Sequence, residues 1–399
     1  MSQFDEGVRR EGSACLKWDE RKAVFGRGDV IPLWVADMDF AAPEPVLKAL
    51  EARVRHGAFG YSGSDPRDVD AVVGWMKRRH GIDVPRDAVL FSPGVVDSLR
   101  VAVAAVTKPG DSVVVQTPVY GPFYGAVEAA GCVVRRNPLL NTPDGWMMDF
   151  SDLEAAFREG ARAILLCSPH NPVGRVWTRE ELLLMAEICR RNGVFVISDE
   201  IHCELTYPGH DYTPWATLPA EYVKNSVSCI SPTKAFNIAG IQIANIYAAN
   251  PEILKKMDRA INDNECCDVN IFGVTALKAA YGKGGPWLDA LRNYLYHNAR
   301  TVCCFLEDEL PGVVVPPLEG TYLMWLDCRW ALRHGEPLEG FSERLAAFLR
   351  EKHGLTLSTG TIYGASGEGF ERLNIACPRT RLLDGLDRFK DGIIAYKNA

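Results

Sequence analysis

A lysine within an apolar segment is the residue of this sequence with the clearest chemical potential. Lys234 is the only charged side chain between Lys224 and Glu252, and an ammonium in such surroundings needs a strong partner, a lowered pKa or covalent neutralisation. A Schiff base with an aldehyde cofactor provides the last of these. The alternative is a lysine whose stem lies along the core while its head reaches water. Ser231 and Thr233 favour the cofactor, because their hydroxyls could hold a phosphate beside the amine.

Polar side chains at two strand ends could bind the ring of such a cofactor. Asp199 follows the predicted strand at 194–198, and a carboxylate there can pair with a protonated pyridine nitrogen, although Asp is also a common helix cap. Asn171 could donate to the phenolic oxygen of the same ring or form a simple Asn-Pro turn. His202 either reaches that oxygen or is satisfied within its own loop, and we favour the second interpretation.

A phosphate group needs clustered hydrogen-bond donors, and the segment at 91–96 offers them. It joins a predicted strand to a predicted helix, so the amides of Gly94, Val95 and Val96 would lie at a helix N-terminus, which favours anions. Tyr120 follows the next predicted strand, where its ring could stack on a planar cofactor, with core packing as the alternative. These residues could therefore complete a site for a phosphorylated aromatic aldehyde.

The elements that would position these residues alternate between strands and helices. The clearest unit runs from a strand at 163–166, through a helix that begins near Thr178, to a strand at 194–197. Thr178 and Glu181 have capping-box spacing, and Gly193 is placed to end the helix. This alternation predicts an α/β fold with a mainly parallel sheet that is covered on both faces.

The length of the chain, 399 residues, predicts more than one domain. We expect a large α/β/α domain at residues 49–286 and a smaller α+β domain at residues 287–399, where a long helix precedes strands near 322–326 and 373–376 and further helices. Residues 1–48 are rich in loop signals and are expected to form an N-terminal arm and part of the small domain.

The composition favours a small-molecule substrate. The net charge is −7, and acidic and basic residues are mixed along the chain, so neither nucleic acid nor a membrane is an expected partner. The N-terminal residues lack the apolar core of a signal peptide, and the twelve scattered cysteines are typical of small buried side chains in a reducing compartment, which predicts a cytoplasmic protein. No Cys-x-x-Cys or His-Glu-x-x-His spacing occurs, so no metal site is expected.

Asn171, Asp199 and Lys234, in this order and spacing, resemble the fold-type I pyridoxal 5'-phosphate enzymes of the aspartate aminotransferase superfamily. More narrowly, the sequence resembles the MalY/PatB group of cystathionine β-lyases. The motifs that carry this resemblance extend over nearly the whole chain and are residues 32–40, 59–62, 91–96, 170–177, 198–202, 227–240, 320–322 with 325–327, and 372–379.

The resemblance implies a role for each predicted cofactor residue. Lys234 would be the Schiff-base lysine and general base, and Asp199 would be the partner of the pyridinium nitrogen. Asn171 would donate to the phenolate and Tyr120 would stack on the ring. The phosphate would be held by the remaining candidates, which are Gly94, Val95, Val96, Ser231 and Thr233.

The resemblance also implies how substrate and a second subunit are bound. Arg372 matches the arginine that clamps the substrate carboxylate, a bidentate task suited to its planar guanidinium, and backbone around Ala36 and Asp37 would assist. Tyr61 is similar to a tyrosine that reaches the phosphate of the neighbouring subunit, so a homodimer with shared active sites is expected.

The activity implied by the resemblance is carbon–sulfur β-elimination. Cystathionine or a related S-substituted cysteine would give a thiol (homocysteine from cystathionine), pyruvate and ammonia. An aminotransferase is the closest alternative, because it shares the early steps and differs in where a proton is returned. A regulatory protein-binding role on the same fold is an alternative from another class.

Overall fold

The computed structural model describes residues 2–63, 65–264 and 269–399. Its α-helices are α1 Leu16–Asp19, α2 Arg21–Phe25, α3 Glu44–His56, α4 Pro66–His80, α5 Val95–Val106, α6 Pro122–Ala129, α7 Phe150–Arg158, α8 Arg179–Asn192, α9 Ala220–Val223, α10 Pro251–Asp263, α11 Ile271–Lys283, α12 Gly285–Glu309, α13 Phe341–His353 and α14 Arg379–Asn398. Its strands are β1 Ile31–Pro32, β2 Val89–Ser92, β3 Ser112–Thr117, β4 Val133–Pro138, β5 Leu140–Thr142, β6 Gly145–Met147, β7 Ala163–Cys167, β8 Phe195–Asp199, β9 Ser226–Ile230, β10 Ala244–Tyr247, β11 Leu323–Asp327, β12 Leu355–Thr356, β13 Ser358–Thr359 and β14 Phe370–Asn374.

The largest sheet has seven strands in the order β2-β10-β9-β8-β7-β3-β4. Neighbours from β9 to β4 pair in parallel, whereas β10 is antiparallel to both β9 and β2. Every residue of β7, β8 and β9 is buried, as expected for strands covered on both faces. The predicted α/β fold with a mainly parallel sheet is confirmed, and Asp199 is the last residue of β8 rather than the first residue after it.

The predicted strand-helix-strand unit is β7-α8-β8. The hydroxyl of Thr178 accepts from the amide of Glu181, and the Glu181 carboxylate accepts from the amide of Thr178, which is the capping box expected from the sequence. Gly193 ends α8 with φ of 65°, in the left-handed region that favours glycine. The sharp end of α8 sets the start of β8 and hence the position of Asp199.

A second sheet, in the order β11-β14-β13, is antiparallel and packs with α13, which in turn packs with α14. The strand that carries Arg372 begins at Phe370, three residues before its predicted start. The N-terminal arm joins this region, because β1 pairs in parallel with β12 through Ile31 and Leu355. The domain boundaries after residues 48 and 286 stay predictions.

Two further features bear on the sequence-based expectations. No helix in the described part of the chain is long and apolar enough to cross a membrane. The ten cysteines within the described residues are all unpaired, and eight of them are buried, whereas Cys303 is half-buried and Cys304 is exposed. The adjacent pair Cys266 and Cys267, for which burial was also expected, lies outside the described residues.

Candidate active site

A cavity of about 260 Å³ lies where the carboxyl ends of β7, β8 and β9 meet. Ten of the predicted site residues line it, which are Ala36, Gly94, Val95, Val96, Tyr120, Asn171, Asp199, His202, Thr233 and Lys234. Cys167, Ile201 and Ala239 also line it, although the sequence did not single them out. Parallel strands place the loops at their carboxyl ends on one edge of the sheet, so residues far apart in sequence converge there.

Lys234 reaches into the cavity and donates from Nζ to the backbone oxygen of Ala36 at 2.6 Å. Burial, assisted by the positive charge of Arg372, lowers the pKa of Lys234 to about 8, against the opposing influence of Asp37 and Asp199. More of the amine is therefore neutral near neutral pH than in an ordinary lysine, and neutral amine is the form that attacks an aldehyde.

Asp199 lies in the wall of the same cavity, 4% exposed. Burial raises its pKa to about 7 from 3.8, and the amide of Ile201, which donates to Oδ1 at 3.1 Å, offsets only part of that rise. A buried carboxylate with one hydrogen-bond donor among the described residues is stabilised by a cation, and the protonated nitrogen of a pyridine ring is a cation of suitable shape.

The loops after β3 and β7 hold Tyr120 and Asn171 against each other. The amide of Tyr120 donates to the backbone oxygen of Asn171 at 3.2 Å, and the His170 ring bonds the Pro118 oxygen through Nε2 at 2.9 Å. The side-chain oxygen of Asn171 accepts from Arg372 at 3.0 Å, which leaves its Nδ2 group to donate into the cavity. This arrangement suits the predicted contact with a phenolic oxygen.

His202 faces the cavity and is 3% exposed. Burial, with the nearby charges of Lys234 and Arg372, lowers its pKa to about 3, so the ring is neutral at physiological pH. Its Nδ1 atom is buried and has no hydrogen-bond partner among the residues that the structure describes. The favoured expectation of a histidine satisfied within its loop therefore does not match the structure, and the alternative of a contact with the cofactor oxygen is the better fit.

The end of the cavity suited to a phosphate is formed by α5 and the loop before Lys234. Gly94 precedes α5, and no side chain in the described part of the chain caps the first turn of that helix, so its amides remain for a ligand. The Thr233 hydroxyl lies 2.7 Å from that of Ser231 and lines the cavity. Ser231 donates to the Ile243 oxygen at 2.7 Å and so supports Thr233 from behind.

Arg372 lies behind Asn171 and is held by several groups. Its Nη2 donates to the backbone oxygen of Trp34 at 2.8 Å and to the Ser358 hydroxyl at 3.2 Å, and its guanidinium carbon lies 4.9 Å from the centre of the Tyr363 ring. Its Nε is buried and lacks an acceptor among the described residues. A donor left in this state is what a substrate carboxylate requires.

The arm segment that contains Ala36 and Asp37 is fixed by two asparagines. Asn374 donates from Nδ2 to the oxygens of Val35 and Asp37, the latter at 2.7 Å. Asn237 exchanges hydrogen bonds with the Met38 backbone, at 3.0 Å from the amide and 2.9 Å to the oxygen. No sequence pattern singled out either asparagine as a site residue, although both lie within the motifs that carry the family resemblance.

Tyr61 is fully exposed and does not line the cavity of its own chain. Tyr61 could contribute to this cavity only as the Tyr61 of a second copy of the chain.

A second polar cluster contains His80, Cys203 and Glu204, whose potential ligand atoms lie within 4.8 Å of one another. The Glu204 carboxylate already accepts from Trp75 Nε1 at 2.6 Å and is bonded to His80 Nε2 at 2.8 Å, and Arg79 lies 3.5 Å away. These contacts satisfy the buried carboxylate from within the chain, so the cluster is explained as structural.

The fold and the site together define the class of the protein. The chain belongs to the aminotransferase class I and II family, whose model matches residues 28–389. This confirms the superfamily expected from the motifs.

Similarity to individual proteins indicates a particular group within this family. The chain is 45% identical over 391 residues to cystathionine beta-lyase PatB of Bacillus subtilis, covering 97% of this chain and 98% of the relative. It is 33% identical over 400 residues to protein MalY of Escherichia coli, covering 100% of each. Cystalysin of Treponema denticola, whose crystal structure contains a pyridoxal 5'-phosphate cofactor, superimposes with a TM-score of 0.93 at 32% identity over 99% of each chain. The resemblance to the MalY/PatB group is thereby confirmed.

Proposed function

We propose that this protein is a pyridoxal 5'-phosphate-dependent carbon–sulfur β-lyase that cleaves cystathionine or a related S-substituted cysteine. The products are a thiol, pyruvate and ammonia. The observation that carries the proposal is the convergence of Lys234, Asp199 and the first turn of α5 on one cavity, with Arg372 directly behind it. The relatives named as cystathionine β-lyases favour this reaction over others on the same fold.

The residues of the cavity match the parts of the cofactor. Bound pyridoxal phosphate supplies an aldehyde that captures the substrate amine and a protonated ring that withdraws electrons from it. Asp199 keeps the ring nitrogen protonated by charge pairing, and Asn171 and His202 donate or accept at the phenolic oxygen. Thr233 and the amides of Gly94, Val95 and Val96 hold the phosphate.

Lys234 has two tasks in this proposal. It would hold the cofactor between turnovers, and its free amine would remove the α-proton of the bound substrate. General base catalysis of this kind typically contributes about 10²–10⁴ in rate. The lowered pKa of about 8 suits both tasks, because the amine can be unprotonated near neutral pH.

Arg372 orients the substrate for this proton transfer. Its Nε hydrogen and the one remaining Nη1 hydrogen can bind the α-carboxylate, while Asn171, Ser358 and the Tyr363 ring keep the guanidinium from rotating. A fixed carboxylate restricts rotation about the bonds of the α-carbon, so the α-proton can face Lys234.

The test is incubation of purified holoenzyme with cystathionine and without any keto acid. Release of pyruvate and homocysteine in equal amounts is the expected result. Product formation only when a keto acid is added would identify an aminotransferase instead. A panel of cysteine, cystine and S-alkyl cysteines, scored for pyruvate and thiol, would then rank the substrates.

We further propose a cytoplasmic homodimer in which Tyr61 serves the neighbouring active site. The full exposure of the Tyr61 side chain supports a contact with a second subunit. The unpaired cysteines among the described residues support a reducing compartment. Mixing inactive Tyr61→Ala and Lys234→Ala subunits should restore up to about a quarter of wild-type activity, because half of the dimers would contain one intact site. No recovery after subunit exchange would contradict a shared site, and cell fractionation tests the compartment.

A further inference from the structure

The backbone oxygen of Ala36 accepts two side-chain hydrogen bonds inside the active site. Lys234 donates from Nζ at 2.6 Å, and Tyr322 donates from its hydroxyl at 3.0 Å. A carbonyl has two lone pairs, so both donors can bind at once. In the sequence, Tyr322 lies within the motif that begins at residue 320, and its spacing does not predict this contact.

Tyr322 is held rigidly in this position. It is fully buried, and its ring contacts that of His202 edge-on, with the ring centres 6.1 Å apart. The preceding residue, Thr321, has φ of 66°, an unfavourable conformation for a β-branched residue that the hydrogen bond from its amide to the Leu205 oxygen helps to hold. Burial raises the pKa of Tyr322 well above its usual value, so the hydroxyl keeps its proton and donates at every working pH.

Lys234, in contrast, cannot stay at the Ala36 oxygen throughout the reaction. When its nitrogen is bonded to the cofactor it has to leave this acceptor, and when substrate takes its place the free amine needs an acceptor again. Ala36 is partly buried, so water replaces a lost donor at its carbonyl only incompletely, and a carbonyl without a donor is destabilised.

We propose that Tyr322 is a positioning residue, whose hydroxyl keeps the Ala36 carbonyl hydrogen-bonded and in place while Lys234 alternates between that carbonyl and the cofactor. The Ala36 oxygen is then the resting place of the free amine. This inference rests on the proposed function only in requiring that Lys234 binds the cofactor aldehyde, and not on which bond of the substrate is broken.

The variant Tyr322→Phe removes the hydroxyl and keeps the ring. The Ala36 oxygen then depends on Lys234 alone, so the free amine is stabilised relative to the cofactor-bound lysine. We expect the dissociation constant for pyridoxal 5'-phosphate, measured from the visible absorbance of the purified protein, to rise about tenfold. In the cofactor-free protein, the pH midpoint for reaction of Lys234 with pyridoxal should rise by about half a unit, because an ammonium gains more than an amine from an unshared acceptor.

Tyr207→Phe is a matched control. Tyr207 is also buried, and its hydroxyl donates at 2.6 Å to the backbone oxygen of Thr321, which Lys234 does not contact. Both variants lose one buried hydroxyl bound to one carbonyl, so their melting temperatures should fall by similar amounts. Only Tyr322→Phe should change cofactor affinity and the pH midpoint of Lys234.

The inference is overturned if Tyr322→Phe binds the cofactor as the wild type does, or if Tyr207→Phe weakens binding equally. Should Tyr322→Phe fail to fold, Tyr322→His keeps a ring with an N–H donor, and recovery of near-normal affinity in that folded variant supports the role whereas a tenfold loss opposes it. A wild-type protein that binds cofactor but releases no pyruvate would contradict the proposed lyase reaction and leave this test intact.

Discussion

Two buried aspartates show how differently this chain treats a carboxylate that serves structure and one that serves a ligand. Asp39 is fully buried, and its two oxygens accept from Lys17, Trp18, Arg10 and Arg381 at 2.7–3.3 Å. Burial acts to raise its pKa, but these cations and the indole outweigh it, and the pKa lies below its usual value.

Asp199 has nearly the same burial and the opposite electrostatics. Its only donor among the described residues is the Ile201 amide, and burial raises its pKa to about 7. The chain thus provides every partner that Asp39 needs, whereas it leaves Asp199 to be completed by a cation from outside. The comparison teaches that an incompletely partnered charge in a cavity is a better sign of function than burial alone.

Removing the Lys234 amine from the cavity that Asp199 also lines should give the largest effect on activity. Lys234→Ala is expected to lower β-elimination by about 10³ or more, because both the covalent link and the general base are lost. The free energy of unfolding should stay the same or rise, since a buried amine has been removed. Steady-state pyruvate release and urea denaturation measure the two quantities, with the exposed Lys224→Ala as control.

The same substitution, Asp to Asn, should lower stability at position 39 and activity at position 199. Asp39→Asn leaves the buried Lys17 without its full counter-charge and should lower the free energy of unfolding by about 3–5 kcal/mol. Asp199→Asn should lower kcat by about 10²-fold, because the ring nitrogen loses its charged partner. Equal destabilisation by both changes would break the comparison.

The stability of the cofactor-free protein should depend on pH through Asp199. The folded-state pKa of Asp199, about 7, exceeds the usual 3.8, so folding favours its acid form. The resulting penalty is absent below about pH 4, grows as the pH rises to 7 and persists above it. Asp199→Asn should therefore stabilise the cofactor-free protein at pH 8 by about 1–2 kcal/mol and not at pH 4, as chemical denaturation at both pH values would reveal.

Arg372→Lys tests whether the unpartnered Nε marks a substrate contact. Lysine keeps the charge but loses the planar pair of donors, so kcat/KM should fall by about 10–100-fold with unchanged affinity for the cofactor. A fall in cofactor affinity without a change in KM would instead assign Arg372 to the structural group with Asp39.

A third carboxylate, that of Glu371, does not line the active-site cavity. Glu371 is fully buried in β14, and neither oxygen has a hydrogen-bond partner among the described residues. Burial, with Glu343 and Glu368 nearby, raises its pKa well above the usual 4.5. Since the penalty of ionisation exists only above about pH 4.5, Glu371→Met should stabilise the protein by about 1–2 kcal/mol at pH 8 and less at pH 4.

Kinetic measurements on Glu371 variants decide whether this residue has a functional role. Unchanged kcat and KM in Glu371→Met would show that a missing partner indicates function only when it faces a cavity. The variant Glu371→Gln separates charge from polarity, because it removes titration and keeps the side-chain dipole. A loss of activity in both variants, with normal stability, would contradict a purely structural position.

Local sequence signals were sufficient to predict the strands and the helix that position Asp199. The capping box at Thr178, the glycine at 193 and the apolar strands predicted β7-α8-β8, and Asp199 lay within one residue of its expected position. The start of β14 was predicted three residues late, because Glu371 and Arg372 are polar residues whose burial depends on the surrounding sheet rather than on local pattern.

Asn171, Asp199 and Lys234 predicted the cofactor through their resemblance to the aspartate aminotransferase superfamily, and the motifs along the rest of the chain predicted the chemistry. Each of the three lies at or just after the carboxyl end of a strand of one sheet, and parallel strands end at one edge. Only the tertiary structure decided the contacts between segments distant in sequence. Arg372 reaches Asn171 across 201 residues, and Tyr322 shares the Ala36 oxygen with Lys234. No local pattern encodes such contacts, since they depend on how the arm and the second sheet pack against the strand ends.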